Sequence, residues 1–225
     1  MAYEETRTPA TPVVERERWL PADPAPLGLA GFALTTFVLS LNNAGFADNL
    51  TWVGLAFFYG GLAQFVAGIW EFANRNTFGA TAFATYGAFW FALGFFIMLE
   101  LTGHLGENAN VENALGWYLA AFAIFNTYMM LWSTRVSAAI FMVFATLEAT
   151  EILLALGFFF ANTTVINIGG YVGIATAAAA WYASAAGVLN SMTAAPLLPV
   201  GRAIWVGPER PGPIPRVEEP ARETR

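Results

Sequence analysis

The sequence predicts an all-α membrane protein with six transmembrane helices, and three observations carry that prediction. Hydrophobic residues make up 57% of the chain and charged residues 12%, where soluble domains carry roughly 25% charged. Six apolar stretches are long enough to span, because a hydrocarbon core about 30 Å thick takes ~20 residues at ~1.5 Å each. The basic residues, all of them arginine, fall only in alternate segments between those stretches.

The first span is predicted at Leu27 to Ala47, behind the start signal "ADPAPL". Asp23 is expected as N-cap, Pro24 at the first helical position and Pro26 within the first turn, where a missing N–H costs nothing. Phe32, Thr36, Ser40 and Asn43 recur at helical spacing, so they share one face and form a candidate pathway lining. The second span, Trp52 to Ala73, places Gly60, Gln64 and Glu71 on a common face. Glu71 stands four residues before Arg75, the spacing of an ordinary helical ion pair.

Span three, Gly79 to Leu99, contributes Thr81, Thr85 and Tyr86. Span four, Gly116 to Trp132, contributes Asn126 and Thr127. Span five, Ser137 to Ala161, contains "TLEATEILL", with Glu148 and Glu151 one turn apart. Span six, Val165 to Asn190, is rich in small residues and includes Gly169-x-x-x-Gly173, the pattern of close approach to another span or another subunit. Trp52, Trp117, Tyr118 and Trp132 lie near span ends, where amphipathic rings favour the headgroup zone, while Trp90 and Trp181 read as packing residues.

The arginines set an orientation. Arg7, Arg16 and Arg18 precede the first span, Arg75 and Arg135 lie in the second and fourth connections, and five more follow the sixth span. The other connections carry Asp48, then Glu100, His104, Glu107 and Glu112, then the uncharged "NTT". By the positive-inside rule both termini are cytoplasmic. The domain reading is a cytoplasmic tail over 1–22, a six-helix transmembrane domain over 23–201 and a disordered cytoplasmic tail over 202–225. The last contains "VGPERPGPIPRVEEPARETR", which buries too little apolar surface to offset the entropy of ordering.

Polar groups at membrane depth are the informative residues. Serine, threonine and asparagine there have an ordinary explanation as interhelical hydrogen-bonding groups, at roughly 0.6 to 2 kcal/mol each. The acids are harder to explain that way. An ionised carboxylate at the bilayer centre costs on the order of 3 kcal/mol, so Glu148 and Glu151 must be neutralised, solvated or compensated and must not face lipid. With Glu71 they are candidate proton-carrying or gating acids, or else acids bonded to a neighbouring helix or subunit.

No nucleophile, base and orienter set is present, and the single His104 lacks companion ligands at metal spacing. Neither an enzyme, a metal, a cofactor nor a nucleic-acid partner is expected. The absence of cysteine excludes thiol chemistry.

"DPAPLGLAGFALTTFVLSLNNAG", Asp23 to Gly45, and "FYGGLAQFVAGIWEFANRNTFGATAFATYGAFW", Phe58 to Trp90, closely resemble the acetate uptake transporter family, of the bacterial succinate-acetate permease type. With "LLPVG" at Leu197 to Gly201, the similarity spans the membrane domain. The resemblance implies a six-helix protomer, a homohexamer with one pathway per protomer, and passage of acetate and similar monocarboxylates, succinate among them, together with protons. It implies residence in the cell's inner or plasma membrane.

The resemblance also implies a narrow apolar constriction of Phe32, Tyr86 and, by ungapped extension from "GWYL", Leu147. Thr36, Ser40, Asn43, Gln64 and Thr85 are then its polar lining, and Asp23 marks the cytoplasmic entrance. Two departures stand out. Asp23 replaces the asparagine of the family signature, and the bacterial pattern has no counterpart of the Glu148 and Glu151 pair. An ionised acid in the path opposes acetate, since like charges ~4 Å apart cost ~4 kcal/mol at an effective dielectric of ~20. A channel for small neutral or basic solutes such as ammonia or urea is the alternative, and a non-transporting membrane sensor or scaffold is a third reading.

Overall fold

The computed structural model describes residues 21–46, 50–106 and 109–207 of the chain. Most of the predicted N-terminal tail, Asp48, Glu107 and the C-terminal tail from 208 onward lie outside the described residues. Within them all regular structure is helical: α1 Ala25–Asn43, α2 Thr51–Phe57, a π-helical segment Phe58–Ala63, α3 Gln64–Ala73, α4 Thr77–Leu101, α5 Val111–Ser133, α6 Ala138–Phe159 and α7 Thr163–Ser191. With α2, the π segment and α3 forming one element, Thr51–Ala73, six helices are long and apolar enough to cross a membrane. They correspond one to one with the predicted spans.

Boundaries moved where capping outweighed hydropathy. Asn76, Asn110, Ser137 and Asn162 each accept a backbone N–H with the side chain, from Gly79, Asn113, Ile140 and Val165. An asparagine or serine there satisfies an orphan donor of the first turn. Asn110 thus starts α5 at Val111, ahead of the apolar run that begins at Gly116. At α1 the register differs by one residue from expectation. Pro24 is the N-cap and Asp23 stands one position earlier, its Oδ1 accepting from Ala25 N at 3.0 Å.

The helices close into a ring. α1 packs on α7, α7 on α6 and α6 on α5; on the other side α4 packs on α3, and α3 with the π segment returns to α1. Small residues permit the closest crossings. A Cβ on Gly87 of α4 would stand 2.7 Å from the backbone of Phe65 on α3. Gly169 meets Leu154 of α6, and Gly173 meets Ser40 of α1, so the predicted small-residue motif packs against other spans of the same chain.

α4 and α5 are joined mainly by aromatic side chains. Phe89 and Phe122 stand 4.8 Å apart between centroids, Phe89 and Tyr118 5.1 Å, and Tyr86 and Phe125 5.6 Å. Large apolar groups such as Phe58, Trp117 and Ile124 are exposed on the outside of the bundle, the surface that a hydrocarbon solvent accommodates.

Three placements correct the sequence reading. Trp52 is buried in the bundle, because α2 turns that face inward. Tyr118 is partly buried and donates to the Phe89 carbonyl at 2.6 Å. The chain beyond 201 is tied down as far as Trp205: Ile204 N and Trp205 N donate to the Thr134 carbonyl at 2.7 and 3.0 Å. Trp205 stacks on Trp132 and lies under the Arg135 guanidinium.

Candidate functional site

The ring of helices encloses a cavity of about 460 Å³ near the bundle end that carries the α1–α2 and α6–α7 connections. Its wall takes Thr36, Ser40, Asn42 and Asn43 from α1, Thr150 and Glu151 from α6, and Thr163 and Asn167 from α7. Apolar residues complete it, among them Trp52, Trp90 and Leu93. A second space of about 30 Å³, room for about a water or two, lies beyond and is lined by Leu29, Gln64, Phe83 and Phe144. Phe32, Tyr86 and Leu147 border both. These three apolar side chains therefore stand between the spaces, each at most 7% exposed.

Local structure explains why they meet. Phe32 lies one turn before Thr36 on the inward face of α1. Tyr86 is held by Phe32, Phe125 and Phe89 at centroid distances of 5.8, 5.6 and 6.0 Å. Leu147 comes from α6, one turn before Glu151 on the same face. From between those rings the Tyr86 hydroxyl points toward α5 and α6.

The hydroxyl finds two oxygens there: Asn126 Oδ1 at 2.9 Å and Glu151 Oε1 at 3.2 Å. Asn126 Nδ2 donates to the Phe144 carbonyl at 2.9 Å and to Glu148 Oε2 at 2.7 Å. Thr127 Oγ1 lies 2.6 Å from Glu148 Oε1. Glu151 thus stands at one end of this network, and Glu148 with Thr127 at the other. Glu151 is 2% exposed, inside the wall, whereas Glu148 is half-buried and bonded to an exposed threonine.

Several buried polar atoms have no protein partner, including Thr36 Oγ1, Trp52 Nε1, Trp90 Nε1, Gln64 Oε1 and Glu151 Oε2. Each such group costs about 1 to 3 kcal/mol unless a solute or water meets it. Their concentration around the two spaces marks this region as more than packing.

Of the predicted lining, Thr36, Ser40 and Asn43 border the larger cavity and Gln64 the smaller, while Thr85 is half-buried and borders neither. Glu71 is fully buried away from both. Its expected pair with Arg75 does not form: α3 ends at Ala73, and Arg75 leaves the helix at φ 59° and is exposed. Glu71 instead accepts from Asn74 Nδ2 at 3.4 Å and abuts Gly79 at the start of α4. Asp23 is exposed at the start of α1.

The cavity also draws in groups that sequence periodicity did not single out. Thr150 bonds across to Thr176 of α7 at 3.1 Å, and Asn42 and Asn167 stand at the wide end. The central position of Asn126 had one signal, an amide in an otherwise apolar span.

A protein-family profile described as the GPR1/FUN34/yaaH family matches residues 5–202. "Acetate permease A" of Emericella nidulans is 42% identical over 201 residues, 82% of this chain and 67% of that protein. The "Succinate-acetate/proton symporter SatP" of Escherichia coli is 37% identical over 181 residues, 80% of this chain and 95% of that one. "Ammonia transport outward protein 2" of Saccharomyces cerevisiae is 41% identical, covering 74% and 61%. A solved structure, "Structure of the bacterial acetate channel SatP", superposes with a TM-score of 0.76 at 36% identity, covering 80% of this chain and 99% of that one.

Proposed function

Because the chain belongs to the GPR1/FUN34/yaaH family, we propose that it carries acetate and related small monocarboxylates across a membrane through the path bounded by Phe32, Tyr86 and Leu147. The observation that supports this most directly is that those three apolar residues border both internal spaces. A small carboxylate has a charged head and a short apolar tail. The hydroxyls and amides of Thr36, Ser40, Asn43 and Thr150 replace water around the head, and the apolar ring passes the tail and excludes larger or strongly hydrated solutes.

Glu151 beside Tyr86 links this passage to protons. As an ionised group it opposes an anion at close range; carrying a proton, it donates a hydrogen bond to the carboxylate. Glu148 and Glu71 are further acids of the same proposed linkage. Asp23 stands at the proposed cytoplasmic mouth, with both termini cytoplasmic in the inner or plasma membrane and six protomers assembled, each with its own path.

Radiolabelled acetate uptake into proteoliposomes under an imposed pH gradient is the test, and uptake no greater than in empty vesicles rejects it. One observation favours a second substrate class. The Glu151 carboxyl in the cavity wall suits ammonia or a basic solute, and one relative is named for outward ammonia transport. Competition separates the two, because acetate in excess slows transport of its own label and leaves ammonia flux unchanged if the second reading holds.

A further inference from the structure

The hydrogen bonds that radiate from Tyr86 run in one direction, and Asn126 sets it. Asn126 is fully buried on α5. Its Nδ2 lies 2.9 Å from the Phe144 carbonyl and 2.7 Å from Glu148 Oε2. A carbonyl oxygen only accepts, so turning the amide over would set Oδ1 against it and leave that oxygen without a donor. Oδ1 consequently faces Tyr86, whose hydroxyl donates to it at 2.9 Å.

A phenol has one proton to give. With that proton on Asn126, the 3.2 Å approach of Tyr86 Oη to Glu151 Oε1 is a hydrogen bond only when the shared proton belongs to Glu151. The order is then Glu151 to Tyr86 Oη, and Tyr86 to Asn126 Oδ1. Thr127 at the far end does not decide it, since its one proton has two acceptors, the Ala123 carbonyl at 2.9 Å and Glu148 Oε1 at 2.6 Å.

We propose that Asn126 is a positioning residue: it commits the Tyr86 proton away from the pathway and so leaves Glu151 as the group that holds a proton beside the constriction. The consequence for transport rests on the reading given above, in which a carboxylate passes Glu151. The hydrogen-bond order itself does not.

The titratable groups that face Glu151 are few. Tyr86 comes from α4, Tyr118 from α5 and Glu148 from its own helix. Tyr118 has its proton engaged by the Phe89 carbonyl at 2.6 Å, and Tyr128 of α5 stands within electrostatic reach of Tyr86. α1 and α7 present only uncharged groups to this wall, such as Thr36, Ser40 and Asn167.

Infrared difference spectra of the full chain in lipid nanodiscs, taken across a pH titration, test the proposal without any transported solute. Wild type should show a carboxylic-acid C=O band that Glu151→Gln removes. In Asn126→Leu the Tyr86 proton is free to turn onto Glu151 in place of accepting from it, and the band should weaken by about twofold or more at unchanged pH. Asn126→Ala, which also removes the acceptor oxygen and is smaller, should act in the same direction if the leucine variant does not fold.

In a Tyr86→Phe background neither substitution should change the band, because the residue through which Asn126 acts has lost its hydroxyl. A wild type without the band, a band indifferent to Asn126, or an equal change in the Tyr86→Phe background each overturns the proposal. A wild type that shows the band and takes up no acetate overturns the transport reading instead, and leaves this one standing.

Discussion

Phe32 and Tyr86 meet edge to face, with ring centroids 5.8 Å apart and planes at 66°, between a cavity of about 460 Å³ and one of about 30 Å³. One comes from α1 and the other from α4, helices that make little direct backbone contact. Their contact, with Leu147 beside it, separates the two spaces by side chains alone.

Removing either ring should therefore open the path without dismantling the bundle. Phe32→Ala or Tyr86→Ala is expected to raise uptake of larger monocarboxylates relative to acetate by about tenfold, the scale on which a pocket discriminates by a few methylenes. Initial rates across a panel of labelled acids of increasing chain length measure this. A ratio equal to that of wild type would show that neither ring limits passage.

Glu151→Gln should flatten the pH profile of uptake while leaving the assembly intact, because the amide still donates to Tyr86 Oη and fills the same space. Glu151→Leu keeps volume and removes the donor, and should lower uptake at every pH. Size-exclusion profiles run beside the transport assay separate the outcomes. If Glu151→Gln disrupts assembly and spares the pH profile in what survives, the acid is structural.

Two glycines give opposite expectations for stability. A Cβ at Gly87 would come within 2.7 Å of Phe65 backbone atoms, whereas nothing lies within 4 Å of one at Gly54. Gly87→Ala should cost about 1 to 3 kcal/mol by forcing α3 and α4 apart. Gly54→Ala should be stabilising by about 0.4 to 1 kcal/mol, since it reduces backbone freedom in the unfolded chain. Thermal unfolding of the detergent-solubilised protein ranks the two, and equal midpoints would show that the crossing has slack.

Trp205→Ala removes a stack on Trp132 at 6.4 Å and the surface under Arg135 at 5.0 Å. The expected loss is about 1 to 2 kcal/mol from the two aromatic contacts together. Limited proteolysis after Arg135 and Arg202 should accelerate as the strap loosens. Unchanged cleavage would mean that the backbone bonds to the Thr134 carbonyl hold it unaided.

The six spans were legible because hydrocarbon is an undemanding filter: any run of sufficient length and apolarity passes it. The α1 stripe was legible for a related reason, since Thr36, Ser40 and Asn43 recur on one face of a single straight helix. Tertiary choices were not. Glu71 and Arg75 have pairing distance in sequence only while the helix continues, and α3 stops at Ala73. Thr85 is adjacent to Tyr86, yet neighbours on a helix point about 100° apart, which takes it out of the path. Nothing local could tell Asn126 which of its many possible partners it would take, because those partners come from α4 and α6.

The π segment Phe58–Ala63 escaped sequence reading for another reason, since an apolar run looks the same at either winding. It lies between the half of the second span that brings Trp52 to the cavity and the half that brings Gln64 to the smaller space. A π turn is the trace of a single inserted residue in an α-helix. Removing one residue between 58 and 63 lets that stretch rewind as regular α-helix with Trp52 and Gln64 still on their walls, whereas rewinding it at its present length would swing everything before it by about 100° and carry Trp52 off the cavity. The winding at that point, rather than the chain length, is thus what holds the two halves of the wall in register, and relatives one residue shorter there would present the same wall on a regular helix.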